Sequence, residues 1–301
     1  MYENCTLCPR KCGANRLAGK TGICGRTASV SVARASLHMW EEPPISGDSG
    51  SGTVFFSGCP LHCVYCQNHL IANGSVGREI TLDHLVKIYL DLQAKHANNI
   101  NLVTPTHYIP HIIESVRMAR TEGLTIPVVY NTSGYESPES VKLLNGTVDI
   151  FLTDFRYMES TTAALYSKAP DYMDNAKASL REMFNVTGPN EFDPETGLMK
   201  KGIIVRILVL PDHYKEAYDI LLYLYSTYGD SIYVSILHQY TPVENVKSLG
   251  TEFDSLKRTI TDYEYDYVTD GAMELGMENV YIQENGADSE SFIPDFDLSG
   301  V

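Results

Sequence analysis

Three cysteines crowd the stretch Thr53-Val-Phe-Phe-Ser-Gly-Cys-Pro-Leu-His-Cys-Val-Tyr-Cys-Gln-Asn68: Cys59, Cys63 and Cys66, spaced C-x3-C-x2-C, with Tyr65 just before the last. Three thiolates from one tight loop can hold three irons of a cubane iron–sulfur cluster. The usual ligand set is four cysteines, so one iron stays open, and an open iron can bind and reduce an exogenous ligand. A zinc knuckle is the plainer alternative, but structural zinc sites are closed by four ligands.

Four further cysteines, Cys5, Cys8, Cys12 and Cys24, open the chain in a C-x2-C-x3-C-x11-C pattern. Four thiolates in so short a segment make a closed site for zinc or for a second iron–sulfur cluster, and spacing does not choose between them. The two groups use all seven cysteines of the 301 residues. That division fits a reducing compartment, where cysteines serve metals or catalysis rather than disulfides.

The elements that position these residues follow from patterning. Thr53–Ser57, β-branched and aromatic, reads as a buried strand that Gly58 stops. Ala28–Leu37 suggests a strand, Trp40–Gly47 a fixed turn, and the glycine–serine run 47–52 a boundary with the main domain. After the cysteine loop, strands alternate with helices. Strands are expected at Asn99–Val103, Ile126–Tyr130, Val148–Thr153, Ile203–Leu210 and Ile232–Leu237, with a short last one at Asn279–Gln283. Helices start at Thr81, around Ile109, at Ser137-Pro138 and at Tyr214, and residues 185–202 read as a surface hairpin. Such alternation predicts an α/β fold with a parallel sheet and right-handed crossovers. Six main strands fit a partial (β/α)6 parallel barrel with a small cysteine-rich metal-binding segment in front. The expected division is 1–48 for that segment and its linker, 49–284 for the barrel, and 285–301 for a C-terminal tail packing on the barrel through Phe292, Ile293 and Phe296.

Parallel barrels carry their chemistry at the C-terminal ends of strands. Those positions hold Thr104-Pro105-Thr106-His107, Asn131-Thr132-Ser133, Asp154-Phe155-Arg156 and His238-Gln239-Tyr240, with Arg206 inside the fifth strand. A guanidinium in the apolar run Ile203–Leu210 needs an anionic partner: a bound carboxylate, or a barrel acid such as Asp154. His107 and His238 are placed as substrate contacts or proton donors.

Taken together, the cysteine loop, Trp40–Gly47, Asn101–His107, Arg206–Pro211, Gln239-Tyr240-Thr241-Pro242 and Phe292–Phe296 resemble the radical S-adenosylmethionine (SAM) enzymes, in the branch related to pyruvate formate-lyase activating enzymes. The resemblance implies a [4Fe-4S] cluster on Cys59, Cys63 and Cys66 whose open iron chelates SAM. Reductive cleavage then gives a 5'-deoxyadenosyl radical that abstracts hydrogen from a substrate such as a protein glycine. It implies cofactor contacts from Tyr65, Thr104, Pro105, Thr106, Asn131, Ser133, Asp154, Arg156, Arg206, His238 and Gln239, with Arg206 addressing the SAM carboxylate. It also implies reduced flavodoxin or ferredoxin as electron donor. The Gly-Gly-Glu triplet of such enzymes is absent, and Pro211-Asp212 stands where they carry Pro-Gly. Modification of a peptide or small metabolite, and a non-catalytic electron-transfer role, are the other readings.

Bulk properties bound these expectations. Hydrophobic residues at 44% support a large core, and a net charge of −15 argues against nucleic-acid or anionic-membrane binding. No run approaches the roughly 18 apolar residues of a membrane span. The start, Met-Tyr-Glu-Asn-Cys5, lacks the basic and apolar regions of a signal peptide, so a cytoplasmic location is expected.

Overall fold

The computed structural model describes residues 1–284 and 294–301. In chain order the strands are β1 (Val30–His38), β2 (Ser51–Phe56), β3 (Arg78–Ile80), β4 (Ile100–Val103), β5 (Val128–Thr132), β6 (Ile150–Asp154), β7 (Glu191–Phe192), β8 (Met199–Leu208), β9 (Tyr233–Leu237) and β10 (Val280–Ile282). The helices are α1 (Pro43–Ser46), α2 (His69–Ala72), α3 (Leu82–Ala94), α4 (Ile109–Thr121), α5 (Pro138–Lys142), α6 (Ser160–Ser167), α7 (Tyr172–Thr187), α8 (Tyr214–Tyr228), α9 (Glu244–Lys247) and α10 (Asp262–Glu274).

The sheet runs β10-β9-β8-β6-β5-β4-β2-β1-β3. From β2 to β10 every neighbouring pair is parallel. The six main strands and one short strand expected from patterning are thus present, in a path that stays open. Sheets of this kind are covered on both faces, which is why β4 and β5 are buried at every residue. Helix starts follow local chemistry: the Thr81 side chain accepts from the His84 backbone at α3, and Thr261 with Glu264 forms a capping box at α10.

Several expected element boundaries move; β8, for one, runs Met199–Leu208 rather than Ile203–Leu210. Pro127 lacks an amide hydrogen, so the strand expected from Ile126 gives way to a ladder that begins at Val128 and carries Asn131 and Thr132 inside it. β6 likewise ends on Asp154, paired across the ladder with Arg206. The glycine–serine run is a hairpin connection: β1 is antiparallel to β2, and Ser51 and Gly52 already belong to β2. Residues 185–202 include the expected hairpin, β7 against β8.

The C-terminal residues bind the β1 edge. Ala35 N donates to Ser299 O (2.9 Å), Leu298 N to Ala33 O (3.1 Å), and the Phe296 ring meets Phe55 edge-on at 5.5 Å. Phe292 and Ile293 lie outside the described residues.

Candidate active site

β2 delivers the cysteine loop to one end of the sheet. Beneath it lies a cleft that Cys59, Cys63 and Cys66 share with Thr104, Asn131, Ser133, Asp154, Arg156 and Arg206. The cleft continues past Tyr65, Asn68, Gln239 and Tyr240. From Arg206 and Gln239 it opens into a wide groove lined by Trp40, Glu41, Glu42, Asp48, Tyr281 and Glu284. Strand ends far apart in sequence therefore converge on one space, as a parallel sheet requires.

Arg206 and Asp154 form the floor. Arg206 Nε donates to Asp154 Oδ1 (2.7 Å) and Nη2 to Asn131 Oδ1 (2.7 Å). Glu41 and Glu42 stand 3.7 and 3.9 Å from the same guanidinium. The barrel acid is therefore its partner within the chain. Arg156 Nη2 also donates to Asp154. Burial pushes the Asp154 carboxyl up, but the Arg156 and Arg206 guanidinium groups outweigh it and hold the carboxyl below its usual value. At Glu42 burial outweighs the more distant Arg206, and the carboxyl is pushed up to about 7.

Above the floor, Ser167 Oγ donates to Cys63 Sγ (3.1 Å) and Leu61 N to Cys59 Sγ (3.4 Å). Ser167 Oγ also meets Tyr157 OH (2.7 Å), which meets Tyr65 OH (2.7 Å). Among the described residues, no group of three or more His, Cys, Asp or Glu side chains stands arranged to hold a metal ion. The donor set nevertheless suits a cluster. Burial pushes the Cys59 thiol up to about 11 and the Cys66 thiol up to about 12, so their thiolate forms need a strong Lewis acid beside them.

The N-terminal cysteines gather separately. A Cβ on Gly22 would lie 3.2 Å from Cys12 Sγ and 3.4 Å from Cys24 Sγ. Burial pushes the Cys8 thiol up to about 12. Arg16, only 1% exposed, donates to Cys5 Sγ (3.8 Å) and to the carbonyls of His107 (2.6 Å), Thr27 (2.6 Å) and Arg26 (3.1 Å). A buried guanidinium held by carbonyls and a thiol calls for a nearby negative charge, which a metal centre on these thiolates would supply. This segment lies directly on the cysteine loop: Gly58 has φ +93°, and a Cβ there would fall 2.6 Å from Cys24 O.

Some expected residues lie elsewhere. Thr104 reaches the cleft with φ +57°, but Pro105 is not among the lining residues, and Thr106 turns inward to donate to Glu136 Oε1 (2.5 Å). His107 is fully buried and meets Ser57 O at 2.8 Å. Burial and Arg16 push it down to about 3, and it is not among the cleft-lining residues. His238 packs edge-on against Tyr265 at 4.7 Å and is not among the cleft-lining residues, whereas Gln239 is. Patterning missed Ser167, Tyr157, Glu136, and Glu41 with Glu42. Only the last pair carried a signal, two acids beside the chain's single tryptophan in the segment taken for a turn.

The chain is 26% identical over 290 residues to "Uncharacterized protein MJ0674" of Methanocaldococcus jannaschii, covering 93% of this chain and 78% of that protein. Among solved structures it resembles HydG, a maturase of the [FeFe]-hydrogenase, with TM-score 0.50 and 14% identity over 74% of this chain and 48% of the other. It also resembles SuiB of Streptococcus suis bound to S-adenosylmethionine, with TM-score 0.49 and 13% identity over 76% of this chain and 49% of the other. The chain thus spans about half the length of these solved structures, and the likeness to HydG is one of fold. Residues 53–178, which include the three cysteines and the strand ends Thr104, Asn131 and Asp154, match the model of the Radical SAM superfamily.

Proposed function

We propose that this chain cleaves SAM reductively and uses the resulting radical to take hydrogen from a protein or peptide, as the activating enzymes of glycyl-radical proteins do. The observation that carries the reading is the placement of Cys59, Cys63 and Cys66 on one wall of a cleft whose other wall is Asp154, Arg156 and Arg206. A [4Fe-4S] cluster on those cysteines would bind SAM at its open iron and supply the electron for cleavage.

The chain's own residues do the rest. Arg206 and Arg156 offer donors for the SAM carboxylate while Asp154 fixes their direction. Thr104, Asn131, Ser133 and Gln239 line the space for the nucleoside or substrate. Tyr65, 3% exposed, closes the wall beside Cys66 and excludes water. Cys5, Cys8, Cys12 and Cys24 would hold a second metal centre, zinc or iron–sulfur, and a small one-electron carrier of the flavodoxin or ferredoxin kind would reduce the chain. The open groove beyond Arg206, from Trp40 to Glu284, supports a polypeptide substrate because it extends the cleft beyond the space between its two walls. A small metabolite would leave that groove unused.

Anaerobically reconstituted and reduced protein given SAM should release 5'-deoxyadenosine, and Cys63→Ala should abolish the release. A non-catalytic electron carrier would release none. Deuterium passing from a labelled candidate peptide into 5'-deoxyadenosine would identify the substrate class.

A further inference from the structure

Arg10 sits between two of the N-terminal cysteines, in Cys8-Pro-Arg-Lys-Cys12. Its guanidinium leaves that segment and grips the cysteine loop. Nε donates to Pro60 O (2.9 Å), and Nη2 donates to Leu61 O (3.2 Å) and Ser167 O (2.8 Å). Nη1 donates to Lys168 O, and the group lies over the Tyr135 ring at 5.1 Å. One side chain therefore ties the loop between Cys59 and Cys63 to the end of α6. At that end the Ser167 hydroxyl is the donor to Cys63 Sγ.

We propose that Arg10 is a positioning residue for the catalytic cluster, acting through Ser167, whose hydrogen bond to the Cys63 sulfur tunes the cluster's reduction potential. The inference rests on the proposed cluster at Cys59, Cys63 and Cys66. Hydrogen bonds to cluster sulfurs favour the reduced, more negative state. Losing the Ser167 donor therefore makes the cluster harder to reduce. Losing Arg10 lets Ser167 drift and has the same effect. Lysine cannot replace it, because an ammonium on a flexible stem does not reproduce a planar fork serving four carbonyls.

The test is anaerobic potentiometry of the reconstituted full chain followed by electron paramagnetic resonance. Iron content is measured in parallel on wild type, Ser167→Ala, Ser167→Thr, Arg10→Lys and the Arg10→Lys/Ser167→Ala double variant. The expected result is a negative shift in Ser167→Ala and Arg10→Lys, a near-wild-type potential in Ser167→Thr, and a double variant no lower than Ser167→Ala alone. A wild-type potential in Ser167→Ala with full iron content overturns the proposal. Additive shifts in the double variant also overturn it, because they deny that Arg10 acts through Ser167. If Arg10→Lys fails to fold, the Ser167→Ala and Ser167→Thr pair still decides the tuning. Wild type that assembles no cluster on these cysteines would instead overturn the functional reading beneath it.

Discussion

Asp154→Asn probes the floor of the cleft most sharply, because Asp154 serves both guanidinium groups there. The substitution keeps the shape and its amide oxygen can still accept one hydrogen bond from Arg206, but it removes the nearest negative charge from two buried cations. Removing one partner of a buried ion pair costs about 3–5 kcal/mol. The retained hydrogen bond offsets about 1 kcal/mol of that, and Glu41 and Glu42, 3.7 and 3.9 Å from Arg206, take up part of the remainder. A net loss of about 2 kcal/mol follows, or about 4–8 °C in Tm for a large domain. The pH dependence has a definite sign. The folded-state pKa of Asp154 is depressed, so its contribution is present above the unfolded value of 3.8 and fades as pH falls through the still lower folded value. Wild type and variant should therefore differ throughout pH 5–8 and converge only in strong acid. Anaerobic urea unfolding at pH 7 measures the difference. A variant within about 0.5 kcal/mol of wild type, the ordinary scatter of surface substitutions, would refute the view that Asp154 holds the two arginines.

Further outcomes follow from the same geometry. Glu136, buried and accepting from Thr106 and Thr132 (both 2.5 Å), is pushed up to about 7 from 4.5 by burial. Wild type must therefore lose stability as pH rises between those values, and Glu136→Gln should remove that loss, gaining up to about 3 kcal/mol at pH 8 in thermal unfolding. Gly134 has φ +77°, and a Cβ there would lie 2.2 Å from Asp154 O, so Gly134→Ala should destabilise the chain by at least about 2 kcal/mol in the same assay. Anaerobic metal and sulfide analysis should find more metal in wild type than in a variant with Cys5, Cys8, Cys12 and Cys24 all replaced by Ala. The missing metal is expected as about one zinc or about four irons.

What patterning revealed and what it hid divide along sequence distance. The cysteine loop was legible because its ligands, its strand and its stopping glycine lie within one short segment. The strand alternation was legible because buried parallel strands read as apolar runs. Asn131, Thr132 and Asp154 were placed after their strands because polar residues look like strand ends. Inside the fold they stay in the ladder because each has a buried partner: Arg206 for Asn131 and Asp154, Glu136 for Thr132. His107 illustrates the converse, since its position at a strand end suggested chemistry while its ring serves Ser57 O across 50 residues. Ser167 and Arg10 gave no local signal at all. Their importance comes from α6 folding back onto the cysteine loop, a contact between residues 104 apart in the case of Ser167 and Cys63.

The most direct measurement is electron paramagnetic resonance of the reduced, anaerobically reconstituted chain before and after SAM is added. A cluster with three cysteine ligands and an iron open to SAM should change its spectrum when SAM binds, and Cys63→Ala should show neither the signal nor the change. A wild-type spectrum indifferent to SAM, or one showing all four irons held by protein side chains, would contradict the account.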